Sequence, residues 1–222
     1  GSYHSGKTED VDFIINHLLK NYTYENIIII GFSLGGNLTL KYLGEKSANI
    51  SPIIKGAVAV SVPIDITSAE KEMDKLKNKV YIELFFKTMK NKLLQKAHRF
   101  PEYKLDKDLL FKATKFKHLE QLYTVPVFGF KSPEDYWTKA SSKPYLKAIK
   151  KPTLLINAKD DSFLSNECFP FYEAQKSENF FFESTDYGGH VGFMNSFNAE
   201  ENNWLEKRIE RFIIENIQLH LL

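Results

Sequence analysis

The amino-acid sequence predicts an α/β fold, in which helices alternate with the strands of a mostly parallel sheet. Short, unbroken apolar segments rich in β-branched residues are typical of strands buried on both faces of such a sheet, and amphipathic helical segments separate them. A Gly-x-Ser-x-Gly motif stands between one of these strands and the helix that follows it. At 222 residues, with 43% hydrophobic and 26% charged residues, the chain is long enough to bury the core of one globular domain.

The first predicted elements are a helix, a strand and a second helix. Thr8 and the acidic residues at positions 9, 10 and 12 predict a helix that starts with a capping hydroxyl and carries acids near the positive end of its dipole. This helix runs to about Asn21, and its predicted apolar face consists of Val11, Ile14, Ile15, Leu18 and Leu19. The four isoleucines at 27–30 predict the first buried strand, and the next helix is expected to end near Gly44.

Three further segments predict strands, and the last segment predicts a helix. The strand candidates are the apolar stretches 56–63, 152–161 and 179–185. The sequence NNWLEKRIERFIIENI is amphipathic, and the inward stripe of its helix is predicted to be Leu205, Ile209, Phe212, Ile213 and Ile217. Strands and helices that alternate in this way favour a parallel sheet.

Residues 66–148 predict a helical cap that is inserted between two core segments, 1–65 and 149–222. Helical stretches are expected in this cap at 68–98 and at 106–122. One face of the first stretch carries Met73, Leu76, Val80 and Leu84.

The predicted cap is basic. Between Ile66 and His118, fourteen lysines and arginines stand against seven acidic residues, whereas the rest of the chain has more acids than bases. The excess has two interpretations: contact with anionic lipid headgroups or an anionic membrane surface, or solvation of the outer faces of packed helices. A nearby group of aromatic residues is equally open to two interpretations, the lining of an acyl pocket or core packing; these residues are Phe128, Phe130, Tyr136 and Trp137.

The motif GFSLGG places Ser33 directly after the first predicted strand. Gly-x-Ser-x-Gly at a strand-to-helix junction is typical of a nucleophile elbow, a turn so tight that the serine adopts a strained backbone conformation. We expect Gly31 and Gly35 to leave room for the strand and the helix to approach each other. The N–H of Leu34 is then one donor of an oxyanion hole, and Ser33 is the candidate nucleophile.

A serine nucleophile needs a base that takes its proton and a carboxylate that orients the base. With the chain order serine, acid, histidine, the candidate base is His190, in the glycine-rich stretch DYGGHVGF after the fourth strand. Asp160 and Asp161 both follow the third strand, and acids at the carboxyl ends of parallel strands face a shared crevice. We prefer Asp161, one position further into the loop, with Asp160 as the alternative. Asp186 is interpreted as a residue that structures its loop.

Several classes of function find no support in the sequence. It contains no cluster of metal ligands, no phosphate-binding loop and no nucleic-acid-binding motif, so we expect no cofactor, no metal and no nucleic-acid partner. No apolar stretch reaches the length that spans a bilayer. The single cysteine, Cys168, excludes a disulfide within the chain and fits a reducing compartment. A cytoplasmic location is therefore expected.

Five stretches that extend over nearly the whole chain carry a family resemblance: YHSGKTED, GFSLGGNLTLKYLGE, EDYWTKASSKPYL, KPTLLINAKDDSF and GGHVGF. Together they resemble the α/β-hydrolases of the YheT-like group, which also holds eukaryotic phospholipase-type and ester-synthase members. The resemblance implies the α/β-hydrolase fold, with Ser33, Asp161 and His190 as a catalytic triad. It also implies hydrolysis of a carboxylic ester, or transfer of the acyl group to an alcohol.

Two departures from the family pattern change the expectations. The family has a proline where this chain has Ser162, in the loop that carries the acid. Family members also carry a long segment before YHSG, with the first strands and a His-Gly loop that resembles a second oxyanion donor. We therefore expect this chain to be the C-terminal portion of the full fold, with a missing N-terminal segment or another chain completing its sheet. Its activity alone is expected to be weak, because loss of an oxyanion donor typically costs about 10²–10³ in turnover.

The sequence thus favours a serine hydrolase that acts on short- or medium-chain acyl esters or lipid esters through an acyl-enzyme. The expected partner is a small-molecule ester or lipid. The first alternative is an acyltransferase or ester synthase that uses the same triad. The second is a non-catalytic hydrolase-like scaffold, which the missing N-terminal strands favour.

Overall fold

The computed structural model describes residues 4–194, 196 and 203–217. Its sheet has the strand order β1-β2-β3-β4, and every neighbouring pair is parallel. The strands are β1 (Ile27–Phe32), β2 (Ile54–Val60), β3 (Thr153–Ala158) and β4 (Phe180–Thr185). The predicted α/β fold with a parallel sheet is therefore confirmed, and the carboxyl ends of these strands lie at one end of the sheet.

Both central strands end earlier than the sequence predicts. β2 stops at Val60 because the next residue, Ser61, has a left-handed backbone conformation (φ 56°) that ends the extended chain. β3 stops at Ala158, where the chain turns and the N–H of Asp161 donates to the Ala158 carbonyl at 3.2 Å. The apolar character of the two stretches continues past these points, so the sequence pattern overestimates their length.

β1 lies at the edge of the sheet, with β2 as its strand partner in the described part of the chain. The prediction that residues 27–30 are buried on both faces is wrong for this chain, because Ile30 is 46% exposed and Phe32 is 45% exposed. An edge strand has a neighbour on one side only, so its other side leaves backbone groups and adjacent side chains uncovered.

The first helix is α1 (Glu9–Asn21). The predicted cap at Thr8 is wrong: Thr8 is in a helical conformation, and its hydroxyl donates to Glu45 and accepts no hydrogen bond from the N–H groups of the helix. Of the predicted apolar face of α1, Ile15 is buried, whereas Ile14 is 58% exposed. The stripe is present in the sequence, but the described part of the fold covers little of it.

The second helix, α2 (Leu34–Lys46), packs against a 3₁₀ segment at Lys143–Ala148. It runs past Gly44, which the sequence predicts as its end. A Cβ on Gly44 would lie 2.4 Å from the carbonyl oxygen of Tyr145. The glycine at this position therefore permits close helix packing and does not end the helix.

The segment between β2 and β3 is helical. Its α-helices are α3 (Ile66–Met73), α4 (Lys79–Arg99), α5 (Lys107–Lys112), α6 (Phe116–Leu119), α7 (Val125–Phe128) and α8 (Pro133–Ala140), with a π-helical turn at Glu120–Thr124. Buried side chains of α4, α5 and α6 form a core of their own, which includes Ile82, Phe86, Leu93, Leu110 and Phe116. The division of the chain at residues 66 and 148 stays a prediction.

The apolar face predicted for the first cap helix is largely exposed. Leu76, Val80 and Leu84 are 88%, 69% and 65% exposed, whereas Ile82 and Phe86 are buried. Helical periodicity identifies apolar faces but does not say which of two faces packs inwards. Packing on α5 and α6 decides that question here.

Two apolar layers cover the sheet. On one face, α2 and its neighbours pack through Leu40, Leu43 and Leu146. On the other face lies α10 (Trp204–Asn216), which follows α9 (Phe171–Gln175) in the chain. The predicted stripe of this last helix is confirmed: four of its residues are buried and Ile213 is partly buried, the four being Leu205, Ile209, Phe212 and Ile217.

Candidate active site

Ser33 occupies the single position between β1 and α2. Its backbone angles, φ 49° and ψ −117°, lie in a region that L-amino acids rarely adopt. Neighbouring backbone holds this conformation, since the Ser33 N–H donates to the carbonyl of Val60 at 2.8 Å and the Ser33 carbonyl accepts from the N–H of Asn37 at 3.1 Å. The turn places the Ser33 hydroxyl at the carboxyl end of the sheet. This is the position of the serine in a nucleophile elbow.

The glycines around Ser33 have different roles. A Cβ on Gly31 would lie 2.5 Å from the carbonyl oxygen of Gly35, and a Cβ on Gly36 would lie 2.4 Å from a methyl group of Val62. A Cβ on Gly35 would meet no atom within 4 Å. The expectation that Gly31 and Gly35 both make room is therefore correct for Gly31 only. The second close approach is at Gly36, because in the helix that residue faces the sheet while Gly35 is exposed.

Three of the predicted site residues form one hydrogen-bonded chain. The Nε2 atom of His190 is 2.9 Å from the Oγ atom of Ser33, and the Nδ1 atom of the same imidazole is 2.8 Å from Oδ2 of Asp161. The Asp161 side chain is fully buried, whereas that of His190 is 25% exposed. The residues come from three separate loops that follow β1, β3 and β4, so only the assembled sheet brings them together.

The two aspartates after β3 make different contacts. Asp161 accepts from His190 through Oδ2 and from the N–H of Phe163 through Oδ1, at 3.0 Å. Asp160 instead accepts from the N–H of Gly189 at 2.8 Å, which ties the loop after β3 to the loop that carries His190. The exposed Asp186 forms an ion pair with Lys159 at 2.6 Å. Of these acids, Asp161 is the one in hydrogen-bonding contact with the imidazole.

The loop that carries His190 depends on its glycines. Gly189 has a left-handed backbone conformation (φ 56°), which glycine adopts at no steric cost. A Cβ on Gly188 would lie 2.7 Å from the ring of Phe193 and 2.8 Å from the Cβ of Ala158. The loop therefore packs directly on the end of β3, and this close approach brings the imidazole to Ser33.

A buried asparagine that sequence reasoning missed holds the acid loop. The side-chain amide of Asn78, just before α4, donates to the carbonyl of Ser162 at 2.8 Å and to that of Glu72 at 2.9 Å. Leu164 adds a backbone bond from its N–H to the carbonyl of Asp161 at 3.2 Å. These contacts hold the loop at the position where Ser162 departs from the family pattern. No sequence signal marks Asn78, because its partner lies 84 residues further along the chain.

A second asparagine, Asn37, lies behind the elbow and is fully buried. Its amide donates to the carbonyls of Ser5 and Ala140 at 3.0 and 2.8 Å, and its Oδ1 accepts from the N–H of Ser142 at 2.9 Å. It joins α2 to the N-terminal loop and to the end of α8. A polar residue on the inward side of the elbow helix is the sequence signal that could have identified it.

One aromatic residue contacts the site, and two others lie in a buried cluster of the helical segment. The ring of Phe163 packs edge-on against the imidazole of His190, with centroids 4.8 Å apart. Tyr136 and Trp137 are buried in a cluster with Ile66, and the hydroxyl of Tyr136 donates to Oγ of Ser5 at 2.5 Å. The contacts of Tyr136 and Trp137 are those of core packing, which favours the second of the two interpretations for these two residues.

Leu34 is the first residue of α2. The N–H groups of the first turn of a helix have no intrahelical acceptor, and they lie at the positive end of the helix dipole. Because Leu34 directly follows Ser33, its N–H is available beside the hydroxyl. This position suits a donor to negative charge that develops next to Ser33.

Comparison with known proteins places the chain in a family. A family model described as the alpha/beta hydrolase fold matches residues 2–197. The chain belongs to this α/β-hydrolase family. It is 31% identical over 208 residues to YheT of Escherichia coli (strain K12), which is named as a candidate esterase, and the match covers 93% of this chain and 60% of YheT.

Two other α/β-hydrolase relatives extend the comparison. Phospholipase ABHD3 of Homo sapiens is 27% identical over 212 residues, which is 96% of this chain and 51% of that protein. The solved structure of esterase Pf2001 of Pyrococcus furiosus has a TM-score of 0.56 at 22% identity and covers 98% of this chain and 66% of that chain; this likeness shows the fold. The chain thus spans about half to two thirds of the length of these relatives.

Two further properties of this α/β-hydrolase chain concern metals and membranes. Among the described residues, no group of three or more His, Cys, Asp or Glu side chains is arranged to hold a metal ion. In the same part of the chain, no helix combines the length and the apolar character needed to cross a bilayer.

Proposed function

We propose that this chain carries the catalytic centre of a serine hydrolase that cleaves carboxylic esters. The observation that carries the proposal is the unbroken chain of contacts from Asp161 through His190 to Ser33, at 2.8 and 2.9 Å. Ser33 lies on a strained turn at the carboxyl end of the sheet, where a substrate can reach its hydroxyl. Nucleophile, base and orienting carboxylate in this geometry are the elements of acyl transfer through a covalent intermediate.

The reaction follows from these positions. His190 takes the proton of the Ser33 hydroxyl through Nε2 while Oγ attacks the ester carbonyl carbon. The tetrahedral intermediate collapses to an acyl-enzyme, and His190 gives the proton to the departing alcohol. A water molecule then attacks the acyl group, with His190 again acting as base, and the carboxylic acid leaves. Asp161 holds the tautomer with a proton on Nδ1 and stabilises the imidazolium that forms.

The N–H of Leu34 supplies one donor to the oxyanion of the tetrahedral intermediate. It lies next to Ser33 at the start of α2, where the helix dipole also favours negative charge. Its contribution is expected to be that of a single oxyanion donor, about 10²–10³ in turnover.

The substrate class we propose is short- or medium-chain acyl esters or lipid esters. Support comes from the names of the relatives, one a phospholipase and another a candidate esterase. We also propose that a further strand pairs with the free edge of β1 and comes from the same protein or from another chain. The exposed Ile30 and Phe32 on that strand support this pairing, because paired edges rarely leave large apolar side chains open.

A fluorophosphonate probe, which reacts with activated serines, tests the function directly. The wild-type chain should be labelled and Ser33→Ala should not be. Turnover of a p-nitrophenyl ester, which is expected to be weak for this chain alone, should fall to the uncatalysed background in Ser33→Ala, a decrease on the order of 10⁶-fold where the triad acts as a unit. Labelling that persists in Ser33→Ala would assign the reactive serine elsewhere. A correctly folded protein that is never labelled would favour a non-catalytic scaffold.

A matched pair of variants tests the acid. Asp161→Asn should reduce turnover by about 10⁴-fold, because the wrong imidazole tautomer would then face Ser33. Asp160→Asn should have a much smaller effect, since its contact with Gly189 holds the loop only. Equal losses in the two variants would contradict the assignment of Asp161. Product analysis in an ethanol–water mixture separates hydrolysis from acyl transfer, because an acyltransferase would form the ethyl ester preferentially.

A further inference from the structure

A continuous apolar surface lies on the outer side of α4. We call it the α4 surface. Each of its side chains is more than half exposed: Leu76 (88%), Val80 (69%), Tyr81 (63%), Leu84 (65%) and Phe85 (52%). These residues are spaced four apart in two rows, so they share one side of the helix and of the 3₁₀ turn that precedes it. Large exposed apolar patches with polar rims are typical of interaction sites.

The helix α4 packs into the protein mainly through the side opposite the α4 surface. The opposite side of the helix is buried through Ile82, Phe86 and Leu93, which pack on α5 and α6. The rings of Tyr81 and Phe85 also contact those of Phe163 and Phe116. Leu76, Val80 and Leu84 lie outside this core, so burying them requires a partner outside the described residues.

The charges around the α4 surface favour an anionic partner. Residues 72–92 contain six lysines against three acidic residues. Glu72 pairs with Lys75 at 2.6 Å. Lys87 and Lys92 are exposed and have no ion pair within the described residues. The excess is positive, so a second copy of the same surface would meet like charges, whereas an anionic lipid surface would be attracted.

The α4 surface also borders the candidate active site. The ring of Tyr81 packs edge-on against Phe163, with centroids 5.7 Å apart. Phe163 in turn packs against the imidazole of His190, at 4.8 Å. One aromatic side chain thus separates the exposed apolar surface from the group that contacts Ser33.

We propose that the α4 surface docks the protein on an anionic lipid surface, so that esters pass from the lipid to Ser33. An exposed apolar helix face with flanking lysines is the arrangement by which peripheral helices bind at the boundary between headgroups and acyl chains. The docking itself stands on exposure and charge. The passage of esters to Ser33 rests on the proposed function.

Vesicle co-sedimentation tests the docking independently of catalysis, if it is carried out with Ser33→Ala as the parent protein. We expect stronger binding to phosphatidylcholine vesicles that contain phosphatidylserine than to phosphatidylcholine alone, and weaker binding at high salt. Adding Val80→Ser and Leu84→Ser should lower the partition coefficient by about tenfold or more. The matched control is Ile214→Ser on α10, which is 71% exposed and should leave binding unchanged.

A second pair of variants tests the charges. Lys87→Glu with Lys92→Glu should reduce binding to the phosphatidylserine vesicles only, whereas Lys207→Glu, an exposed lysine of α10, should have little effect. Because Val80 and Leu84 are exposed, their replacement should leave the thermal midpoint unchanged, which excludes misfolding as the cause of weaker binding.

Several outcomes would overturn the docking proposal. They are absence of vesicle binding, equal losses in the α10 controls, and a concentration-dependent dimer that Val80→Ser with Leu84→Ser abolishes. The proposal would also be overturned if a segment outside residues 1–222 covered the α4 surface and shielded it from a covalent surface label. Absence of vesicle binding by the wild-type protein, together with turnover of a soluble ester, rejects the docking alone. Vesicle binding by a protein in which fluorophosphonate never labels Ser33 rejects the proposed function alone.

Discussion

Replacement of Gly31 by alanine adds one methyl group where β1 and the first turn of α2 lie close together. The added Cβ would lie 2.5 Å from the carbonyl oxygen of Gly35, 2.6 Å from its carbonyl carbon and 2.6 Å from Oγ1 of Thr39. Two of these three atoms are backbone, which cannot rotate away as a side chain does. Relief of the clash must therefore move the first turn of α2 away from β1, and Ser33 lies at the junction of the two.

The expected cost of this overpacking is about 1–3 kcal/mol. Without the clash, Gly→Ala would stabilise the protein by about 0.4–1 kcal/mol, because alanine has less freedom in the unfolded chain. The sign of the change therefore tests the geometry. For a chain of this length, 1 kcal/mol corresponds to about 2–4 °C in the thermal midpoint, so Gly31→Ala should melt roughly 2–12 °C below the wild type.

Gly35→Ala is the matched control, four residues away in the same motif. Its Cβ would meet no atom within 4 Å, and alanine is preferred to glycine in a helix by about 0.5–1 kcal/mol. Its thermal midpoint should be unchanged or slightly raised. Circular dichroism melts of the two variants measure both shifts, and a Gly31→Ala protein as stable as the wild type would refute the reasoning.

Three further predictions concern buried polar groups and an exposed ion pair. Burial raises the pKa of Glu120 to about 8, so the folded protein keeps a proton that the unfolded chain loses above its ordinary pKa of 4.5. The stability that this proton contributes is complete below pH 4.5 and is lost as the pH rises through about 8. Between these values the free energy of unfolding should fall by up to about 1.4 kcal/mol per pH unit. Glu120→Gln should flatten that dependence in urea titrations at several pH values, and an unchanged slope would contradict it. Asn37→Ala leaves two buried backbone groups and one partly buried backbone group without their partner, and it should lower the free energy of unfolding by about 3 kcal/mol or more. Asn21→Ala on the exposed end of α1 should change that free energy by less than about 0.5 kcal/mol. Asp186→Ala removes only the exposed pair with Lys159, so urea titration should show a loss of at most about 1 kcal/mol with ester turnover unchanged; a large loss of turnover would place Asp186 in the catalytic machinery.

The elements around Ser33 could be predicted from the sequence because each has a local cause. A short β-branched apolar run favours the extended conformation, and Gly-x-Ser-x-Gly admits a turn too tight for larger residues. The order of serine, acid and histidine along the chain then singled out His190 after β4. The sequence favours Asp161 over Asp160 only through its position one residue further into the loop, because the directions of two adjacent carboxylates are determined by the folded loop.

Other features could not be predicted because they depend on distant parts of the chain. Asn78 meets the acid loop 84 residues further on, and Gly44 is a packing position because Tyr145 lies against it. Helix α4 has two apolar faces, and periodicity alone does not show which of them is buried. The face with Val80 and Leu84 is the exposed one. In each case the deciding contact is absent from any local window of sequence.

The sequence by itself therefore determined the parallel α/β sheet, the elbow at Ser33 and the residues that are candidates to act with it, because these follow from side-chain chemistry and short-range backbone geometry. Tertiary structure alone decided that the Asp161 carboxylate contacts His190 while Asp160 anchors the loop. It also decided that β1 lies at the edge of the sheet in the described part of the chain and that the α4 surface faces outwards next to Phe163. The physical reason is that burial and hydrogen-bond partnership are properties of elements packed together, and no single segment contains them.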